Sequence, residues 1–91
     1  MSDTFRDNES ASRYELVEEG QLAWADYRRA AGRLIIDHVE SPIALRGKGT
    51  AGRLMTAVAS EARKAGVKIT PICGYAASWL QRSKDFSDLV A

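Results

Sequence analysis

The sequence predicts a single small α+β domain, in which a mostly antiparallel sheet of about four strands carries one long helix and one short C-terminal helix. Length and composition give the first indication, because 91 residues, of which 45% are hydrophobic, suffice for one modest core. The second indication is a change of period. Apolar and polar residues alternate before Pro42, as in half-buried strands, whereas apolar residues recur every three or four positions from Ala51.

Three strands are predicted before Pro42. Residues 13–17 alternate, residues 18–20 supply a turn, and residues 21–28 form a second run whose aromatic side chains favour a strand. These features are typical of a β-hairpin. A third run at residues 34–36 leads toward Pro42, so we expect three antiparallel strands in a meander.

One long helix and one shorter helix are predicted after Pro42. Residues 51–65 place apolar side chains on one face of a helix and polar side chains on the other. Gly66 follows, at the position where glycine readily adopts the left-handed conformation that ends a helix. A short strand at residues 67–70 and a helix at residues 75–81 complete the predicted elements.

Composition excludes several classes of protein. The 13 Lys and Arg nearly balance the 12 Asp and Glu, which leaves a formal charge of +1. One Cys and one His cannot supply the ligands of a zinc site, so no metal is expected. A single Cys forms no internal disulfide, and the N-terminus lacks a secretory signal, so the cytoplasm is the expected compartment. No apolar run approaches the roughly 20 residues that span a bilayer.

The charged residues are unevenly distributed along the chain. Residues 1–11 are polar, and we expect them to be a disordered tail ahead of a domain over residues 12–91. Residues 31–70 hold seven basic and three acidic side chains. This footprint suits a small polyanion better than a duplex, and the aromatic side chains do not alternate with the cations. A small basic nucleic-acid-binding protein is therefore the weakest interpretation.

The segment Arg46-Gly47-Lys48-Gly49-Thr50-Ala51-Gly52 lies between the third strand and the long helix. Glycine allows the backbone to approach a ligand closely, and the first turn of a helix presents N–H groups with a partial positive charge. The pattern predicts a site for phosphate or pyrophosphate, with charges from Arg46 and Lys48 and a hydroxyl donor from Thr50. The alternative is an ordinary glycine-rich connection with solvated basic side chains.

Two common phosphate-binding motifs do not fit this segment. A Walker A loop requires Ser or Thr after Gly47-Lys48, where this chain has Gly49. The dinucleotide-binding pattern Gly-x-Gly-x-x-Gly is present at Gly47, Gly49 and Gly52, but that fold starts from a parallel βαβ unit. It also needs an acidic residue about 20 positions later, and residues 62–84 contain none.

A third pattern, Arg/Gln-x-x-Gly-x-Gly/Ala, is filled by Arg46, Gly49 and Ala51. It resembles the coenzyme A pyrophosphate loop of the GNAT superfamily of N-acetyltransferases. More narrowly, residues 12–90 are similar to the small YjdJ-type group, whose single domain contains little beyond the acetyl-coenzyme A core. The motifs that carry this likeness are, in order, His38-Val39-Glu40, Pro42, residues 45–52, Pro71-Ile72-Cys73 and Trp79.

The resemblance implies acetyl-coenzyme A as the cofactor and an amine, either a small amine or a protein lysine, as the acetyl acceptor. It also implies a sheet whose strands splay apart after Glu40, with the pantetheine arm between this strand and the strand at residues 67–71. Backbone N–H groups of the loop would hold the pyrophosphate. The implied cofactor-binding residues are Leu45, Arg46, Gly47, Lys48, Gly49, Thr50, Ala51 and Gly52.

Cys73 is the first candidate for the chemistry. It precedes a predicted helix N-terminus, which favours a thiolate, and the resemblance implies that it lies near the acetyl thioester. It would act as a nucleophile or as the acid for the departing thiolate. The alternative is a small buried hydrophobic residue.

His38 and Glu40 are the other two candidates. By strand alternation His38 shares a face with Leu34, Ile36 and Glu40, and that face changes from apolar to polar. We therefore interpret His38 as a base near neutral pH, and Glu40 as the group that orients it or as the base itself. A half-buried histidine satisfied by a neighbour is the alternative.

The resulting hypothesis is an N-acetyltransferase that moves an acetyl group from acetyl-coenzyme A to an amine, as a monomer or weak dimer without a membrane partner. Direct attack by the amine and transfer through Cys73 both stay open. The main alternative is a coenzyme A-binding module with little transferase activity, because 91 residues leave little chain for an acceptor pocket.

Overall fold

The computed structural model describes residues 4–91 and arranges them as one five-stranded sheet with two α-helices, which confirms the predicted α+β class. The strands follow one another in chain order across the sheet. They are β1 (Thr4–Asn8), β2 (Arg13–Glu18), β3 (Gln21–Ala30), β4 (Arg33–Glu40) and β5 (Lys68–Pro71). The helices are α1 (Thr50–Ala65) and α2 (Gly74–Arg82), and short 3₁₀ turns occupy Glu9–Ala11, Ile43–Leu45 and Ser87–Leu89.

Strands β2, β3 and β4 form the predicted antiparallel meander. The turn between β2 and β3 contains Glu19 and Gly20, with φ angles of 51° and 73°. Two consecutive left-handed residues are typical of the tight turns that match the twist of a hairpin. The turn thereby fixes the register in which Glu18 pairs with Gln21 at the end of β2.

The structure corrects the expectation of a disordered tail for residues 4–11. Strand β1 pairs antiparallel with β2, and the Phe5 and Tyr14 rings stack with their centroids 5.6 Å apart. Glu15, buried in β2, accepts hydrogen bonds from two side chains of β1. These contacts offset the low hydrophobicity of the segment and add a strand to the predicted sheet. Residues 1–3 of the expected tail lie outside the described residues.

Both helices share one hydrophobic core with the sheet. Helix α1 is amphipathic as predicted and ends at Gly66, whose φ of 71° and whose N–H bonds to the last turn form the predicted left-handed cap. Among the helices formed by residues 4–91, none is both long and apolar enough to cross a membrane. The largest fully buried hydrophobic side chains are Leu34, Ile36, Leu45, Leu54, Met55, Val58, Ile69 and Leu80.

Strands β4 and β5 are the one parallel pair among the described strands, and α1 connects them. Their pairing ends at Ile36 and Pro71, after which the N–H groups of Ile72 and Cys73 both donate to the Ile36 carbonyl, at 2.9 and 3.2 Å. The strands therefore part at Ile36, earlier than the expected position after Glu40. The reason is that β5 stops at Pro71, where the chain turns toward α2.

A β-bulge in β4 changes which face of the sheet its last residues occupy. Tyr27 pairs with Ile36, but the next pair joins Asp26 to His38, so Asp37 is an extra residue on β4. An extra residue reverses the alternation of the side chains that follow it. The end of β4 is therefore turned over relative to its beginning.

The bulge overturns the expected orientation of His38 and Glu40. Val39, rather than these two residues, packs against the hydrophobic core. His38 and Glu40 lie on the opposite face of the sheet from Leu34 and Ile36, and we call this the outer face. The predicted shared face is wrong because a single inserted residue leaves no visible break in the alternation of one sequence.

Candidate functional site

The loop at residues 46–49 joins a 3₁₀ turn to α1, and two of its glycines have left-handed backbone conformations. Gly47 has a φ of 79°, and Gly49, which caps α1, has a φ of 81°. Residues with a Cβ atom adopt such values only with strain. The backbone path of the loop therefore depends on both glycines.

The loop and the first turn of α1 present a group of backbone N–H donors. The N–H groups of Arg46 and Lys48 are already used, because they donate to the carbonyls of Ile43 and Leu45 at 3.1 and 3.2 Å. Backbone N–H donors that are free and lie at the positive end of a helix dipole favour an anion. Within residues 4–91, no backbone carbonyl accepts a hydrogen bond from the N–H groups of Gly47, Gly49, Thr50, Ala51 or Gly52.

Two exposed cations flank these donors. Arg46 Nη2 lies 3.4 Å from Glu40 Oε2, and Lys48 Nζ donates to Glu19 Oε1 at 2.9 Å. Half or more of each basic side chain is exposed. Exposed ion pairs of this kind contribute little to stability, so both cations can turn toward a ligand at small cost.

A third cation near the loop, Arg53, is engaged with a buried carboxylate. Glu18, at the end of β2 and only 5% exposed, accepts hydrogen bonds from Arg53 Nε at 2.6 Å and from Arg53 Nη2 at 2.8 Å. The Thr50 hydroxyl donates to the same carboxylate at 2.6 Å. The hydroxyl that the sequence predicts as a ligand donor is thus engaged by Glu18 and buried against it. The Thr50 backbone N–H stays in the donor group.

A cavity of about 260 Å³ opens beside the donors. Its lining consists of residues 45–47 and 49–52 together with Ser41 and Tyr75. The Ser41 hydroxyl oxygen is buried and, among residues 4–91, has no hydrogen-bond partner. Ser41 is absent from the predicted site because nothing in the sequence except its place directly before Pro42 and the loop points to it.

Two aromatic side chains of α2 approach the start of α1. A Cβ atom placed on Gly52 would lie 3.6 Å from Trp79 Nε1 and 3.9 Å from the Tyr75 hydroxyl. Burial raises the pKa of Tyr75, so its hydroxyl keeps its proton and can donate a hydrogen bond at neutral pH. Of these two side chains, Tyr75 lines the cavity together with the first residues of α1.

Cys73 lies where β4 and β5 part. It is the residue directly before α2, as the sequence predicts, and its carbonyl accepts a hydrogen bond from the Ala77 N–H at 2.9 Å. Its side chain is partly buried and packs against the hydrophobic core. The thiol therefore sits at the border between the core and the gap between the two strands.

His38 and Glu40 form a pair on the outer face. His38 Nε2 lies 3.1 Å from Glu40 Oε1, and Arg46 approaches the second carboxylate oxygen. The hydrogen bond with His38 lowers the pKa of Glu40, and Arg46 lowers it further. In the described part of the chain, no hydrogen bond joins the Cys73 thiol to either side chain. The structure thus brings His38, Glu40 and Arg46 together and leaves Cys73 outside that group.

Comparison with known proteins identifies the family. A family model described as GCN5-related N-acetyl-transferase matches residues 13–89. The chain belongs to this family. The predicted membership of the GNAT superfamily and the prediction of an acetyltransferase are both confirmed.

The fold of this acetyltransferase is similar to that of a solved structure. The solution NMR structure of a GCN5-like protein from Staphylococcus aureus is 25% identical in sequence and matches with a TM-score of 0.71. The similarity covers 100% of this chain and 91% of that chain. No curated protein matches the sequence.

The candidate site lies beyond the ends of the parallel strands. The loop follows the C-terminal end of β4, and Cys73 follows the C-terminal end of β5. Ligands of open sheets bind in the crevice at this end of parallel strands. Members of the family generally use acetyl-coenzyme A, and the arrangement offers anion-binding donors after one strand and a thiol after the other.

Proposed function

We propose that this acetyltransferase moves the acetyl group of acetyl-coenzyme A to an amine. The observation that carries the proposal is the group of backbone N–H donors at Gly47, Gly49 and residues 50–52. The diphosphate of coenzyme A would accept hydrogen bonds from these donors, and Arg46 and Lys48 would add charge-assisted contacts.

Other features fit the rest of the coenzyme A molecule. The cavity beside the loop is lined by the apolar residue Leu45 and by Ser41. Buried hydroxyl groups almost always have a hydrogen-bond partner, and Ser41 lacks one among residues 4–91. An amide or hydroxyl group of the pantetheine arm would supply that partner.

We assign Cys73 a role in the breaking of the C–S bond of the thioester. Acetyl-coenzyme A supplies an acyl group that is activated as a thioester. An attacking amine forms the new C–N bond while the C–S bond breaks, so the amine loses a proton and the departing sulfur must gain one. Cys73 either donates that proton or accepts the acetyl group first, and both orders stay open.

His38 is assigned to take up the amine proton, and Glu40 to hold the imidazole. The lowered pKa of Glu40 keeps this carboxylate ionised at neutral pH, which makes it a weak base but a good hydrogen-bond acceptor for His38. His38 is exposed on the outer face, so an amine or a bridging water can reach it from solvent.

The finer assignments belong to the same proposal. We place the chain in the small YjdJ-type group, because a His-x-Glu strand, the loop and a late Cys follow one another in one short chain. The single free thiol of Cys73 suits a reducing compartment such as the cytoplasm. The acceptor would be a small amine or a protein lysine, and the enzyme a monomer or weak dimer.

A coenzyme A-binding module with little transferase activity is the second candidate. The observation that favours it is the separation of Cys73 from the His38 and Glu40 pair in the described chain. Both candidates share the same cofactor site, so they differ only in turnover.

Titration of isotope-labelled protein with acetyl-coenzyme A tests the shared cofactor site. We expect the amide signals of Gly47, Gly49 and residues 50–52 to shift, and we expect pantetheine, which lacks the diphosphate, to leave them in place. Unmoved signals with acetyl-coenzyme A would refute both candidates. Shifts of the same signals with duplex DNA at low salt would instead support a nucleic-acid-binding protein.

A panel of amines, with release of free thiol as the readout, then separates the two candidates. Turnover with at least one small amine or lysine peptide supports the transferase. Tight binding of acetyl-coenzyme A without thiol release for any acceptor supports the binding module.

A further inference from the structure

Glu18 is a buried carboxylate placed directly against the start of α1. Thr50 and Arg53, both in the first turn of that helix, donate three hydrogen bonds to it at distances of 2.6, 2.6 and 2.8 Å. A carboxylate beside an anion site repels the anion unless a cation compensates its charge. The position of Glu18 next to the loop therefore calls for a reason beyond the stability of the fold.

We propose that Glu18 and Arg53 are positioning residues, which hold the loop in the conformation that binds the diphosphate, and that Arg53 itself does not bind phosphate. The inference rests on the proposed function. Without it, Arg53 would count with Arg46 and Lys48 as a third phosphate-binding cation.

Arg53 connects Glu18 to the loop backbone. Its Nη2 atom donates both to Glu18 Oε1 and to the Lys48 carbonyl oxygen, each at 2.8 Å. Within a planar trans peptide the carbonyl and the following N–H point in opposite directions. A Lys48 carbonyl that is fixed toward Arg53 therefore turns the Gly49 N–H away from Arg53, where it is available to a ligand.

Gly49 leaves the space that this contact needs. A Cβ atom at Gly49 would lie 3.0 Å from Arg53 Nη1, a distance at which the guanidinium must give by a few tenths of an ångström. The Arg53 N–H also donates to the Gly49 carbonyl at 3.0 Å as the first backbone hydrogen bond of α1. Glycine at this position thus allows both the left-handed φ angle and the close approach of Arg53.

Substitution of Glu18 by Gln distinguishes a positioning role of Arg53 from phosphate binding, because the two roles predict opposite changes in acetyl-coenzyme A affinity. If Arg53 bound phosphate, loss of its carboxylate partner would free the cation and strengthen binding. If Glu18 and Arg53 position the loop, Glu18→Gln weakens acetyl-coenzyme A binding about tenfold, because charged hydrogen bonds are lost. The kcat at saturating acetyl-coenzyme A should change less than about twofold, so that the loss appears in KM.

Glu15→Gln is the matched control. Glu15 lies on the same strand, is 4% exposed, and accepts hydrogen bonds from Arg6, Asn8 and Arg13. Its substitution removes a comparable buried carboxylate on the outer face. We expect it to lower the melting temperature as Glu18→Gln does, but to leave acetyl-coenzyme A affinity unchanged.

Arg53→Lys is a second test that keeps the fold and the charge. Half of the Arg53 side chain is exposed, so the substitution is tolerated at this position. Lysine cannot reproduce the forked contact to Glu18 and the Lys48 carbonyl, and we expect the same loss of affinity as in Glu18→Gln. If Arg53 only supplied a positive charge to the phosphate, Arg53→Lys would preserve the affinity for acetyl-coenzyme A.

Amide signals of the ligand-free protein complete the test. We expect the Gly49 and Thr50 signals to shift in Glu18→Gln and Arg53→Lys before any ligand is added. Unchanged signals, or affinity that is unchanged or higher in Glu18→Gln, would overturn the positioning role. If the unsubstituted chain does not bind acetyl-coenzyme A, the proposed function fails, and the ligand-free signals still decide whether Glu18 and Arg53 set the loop.

Discussion

At the scale of single residues, Ser41 places a hydroxyl beside the loop without a hydrogen-bond partner among residues 4–91. We predict that Ser41→Ala leaves the free energy of unfolding unchanged or raises it by up to about 1 kcal/mol, because an unsatisfied hydroxyl is costly to bury. The same substitution should weaken acetyl-coenzyme A binding about fivefold, because the ligand loses a hydrogen bond. Chemical denaturation and calorimetric titration measure the two effects.

Ser60→Ala is the control for this substitution. The Ser60 hydroxyl lies on α1 and donates to the Thr56 carbonyl at 2.8 Å. Its removal should leave acetyl-coenzyme A affinity unchanged. A loss of stability in Ser41→Ala without any loss of affinity would mean that the Ser41 hydroxyl serves the fold and not the ligand.

Glu15 makes the stability of the protein depend on pH. Burial alone would raise the pKa of this carboxyl group, but hydrogen bonds from Arg6, Asn8 and Arg13 prevail and lower its pKa from 4.5 to about 2. A carboxyl group whose pKa falls on folding stabilises the fold above its unfolded pKa, and this contribution is lost as the pH falls to the folded pKa. The loss therefore lies between pH 4.5 and about pH 2.

We predict that acidification through this range lowers the free energy of unfolding by on the order of 2 kcal/mol through Glu15. Urea unfolding at a series of pH values measures the effect. Glu15→Gln should be less stable at neutral pH and should lack this part of the pH dependence. An unfolding profile of the same shape in both proteins would contradict the assignment.

At the scale of elements, the two ends of α1 allow a matched comparison of glycines. Gly49 and Gly66 have similar left-handed φ angles of 81° and 71°. A Cβ atom at Gly66 meets nothing within 4 Å, whereas at Gly49 it meets Arg53. We predict that Gly66→Ala costs about 1 kcal/mol of stability through backbone strain alone, and that it preserves acetyl-coenzyme A binding.

Gly49→Ala should cost more stability than Gly66→Ala and should also weaken binding by tenfold or more, on the order expected for a lost charged hydrogen-bond network. Thermal unfolding and titration with acetyl-coenzyme A measure both changes. If Gly49→Ala and Gly66→Ala lost the same stability and bound acetyl-coenzyme A equally well, the space that Gly49 leaves for Arg53 would not contribute to binding.

The elements that could be predicted from the sequence are those whose own local pattern of residues determines their structure. Helix α1 follows from its periodic apolar residues, and the β2–β3 hairpin from an alternating run before Gly20 and a run with aromatic residues after it. Strand β1 was missed because its stability comes from contacts with other segments, such as the stacking of Phe5 on the Tyr14 ring and the hydrogen bond from the Tyr27 hydroxyl to Asp7. The bulge at Asp37 was missed because only the pairing with β3 reveals which residue is extra.

At the scale of the whole molecule, one part of the site is formed by neighbouring residues and could be predicted, whereas another part is formed by residues distant in the sequence and could not. The glycine-rich loop is contiguous, so its backbone donors could be predicted from sequence spacing and helix physics. The contact of Glu18 with Arg53 joins residues 35 positions apart, and it depends on the turn that ends β2 and on the packing of α1. One sequence contains no local signal for such a pair, so the buried partner of Arg53 could not be predicted.

Binding and chemistry are also assigned to different parts of the molecule. The loop and Ser41 belong to the connection between β4 and α1, whereas Cys73 belongs to the connection between β5 and α2. We predict that Cys73→Ala keeps acetyl-coenzyme A affinity within about twofold but lowers turnover with the best amine about 100-fold, the range of a lost acid or nucleophile. Thiol release measures turnover, and calorimetric titration measures affinity.

The mass of the unsubstituted protein after incubation with acetyl-coenzyme A, without an amine, decides the order of steps. A gain of one acetyl group that Cys73→Ala does not show would mean that the thiol is acetylated first. A mass that stays constant, together with slow turnover in Cys73→Ala, would leave the thiol as the proton donor to the departing sulfur. Unchanged turnover in Cys73→Ala would remove this residue from the mechanism, because neither role can survive the loss of the thiol.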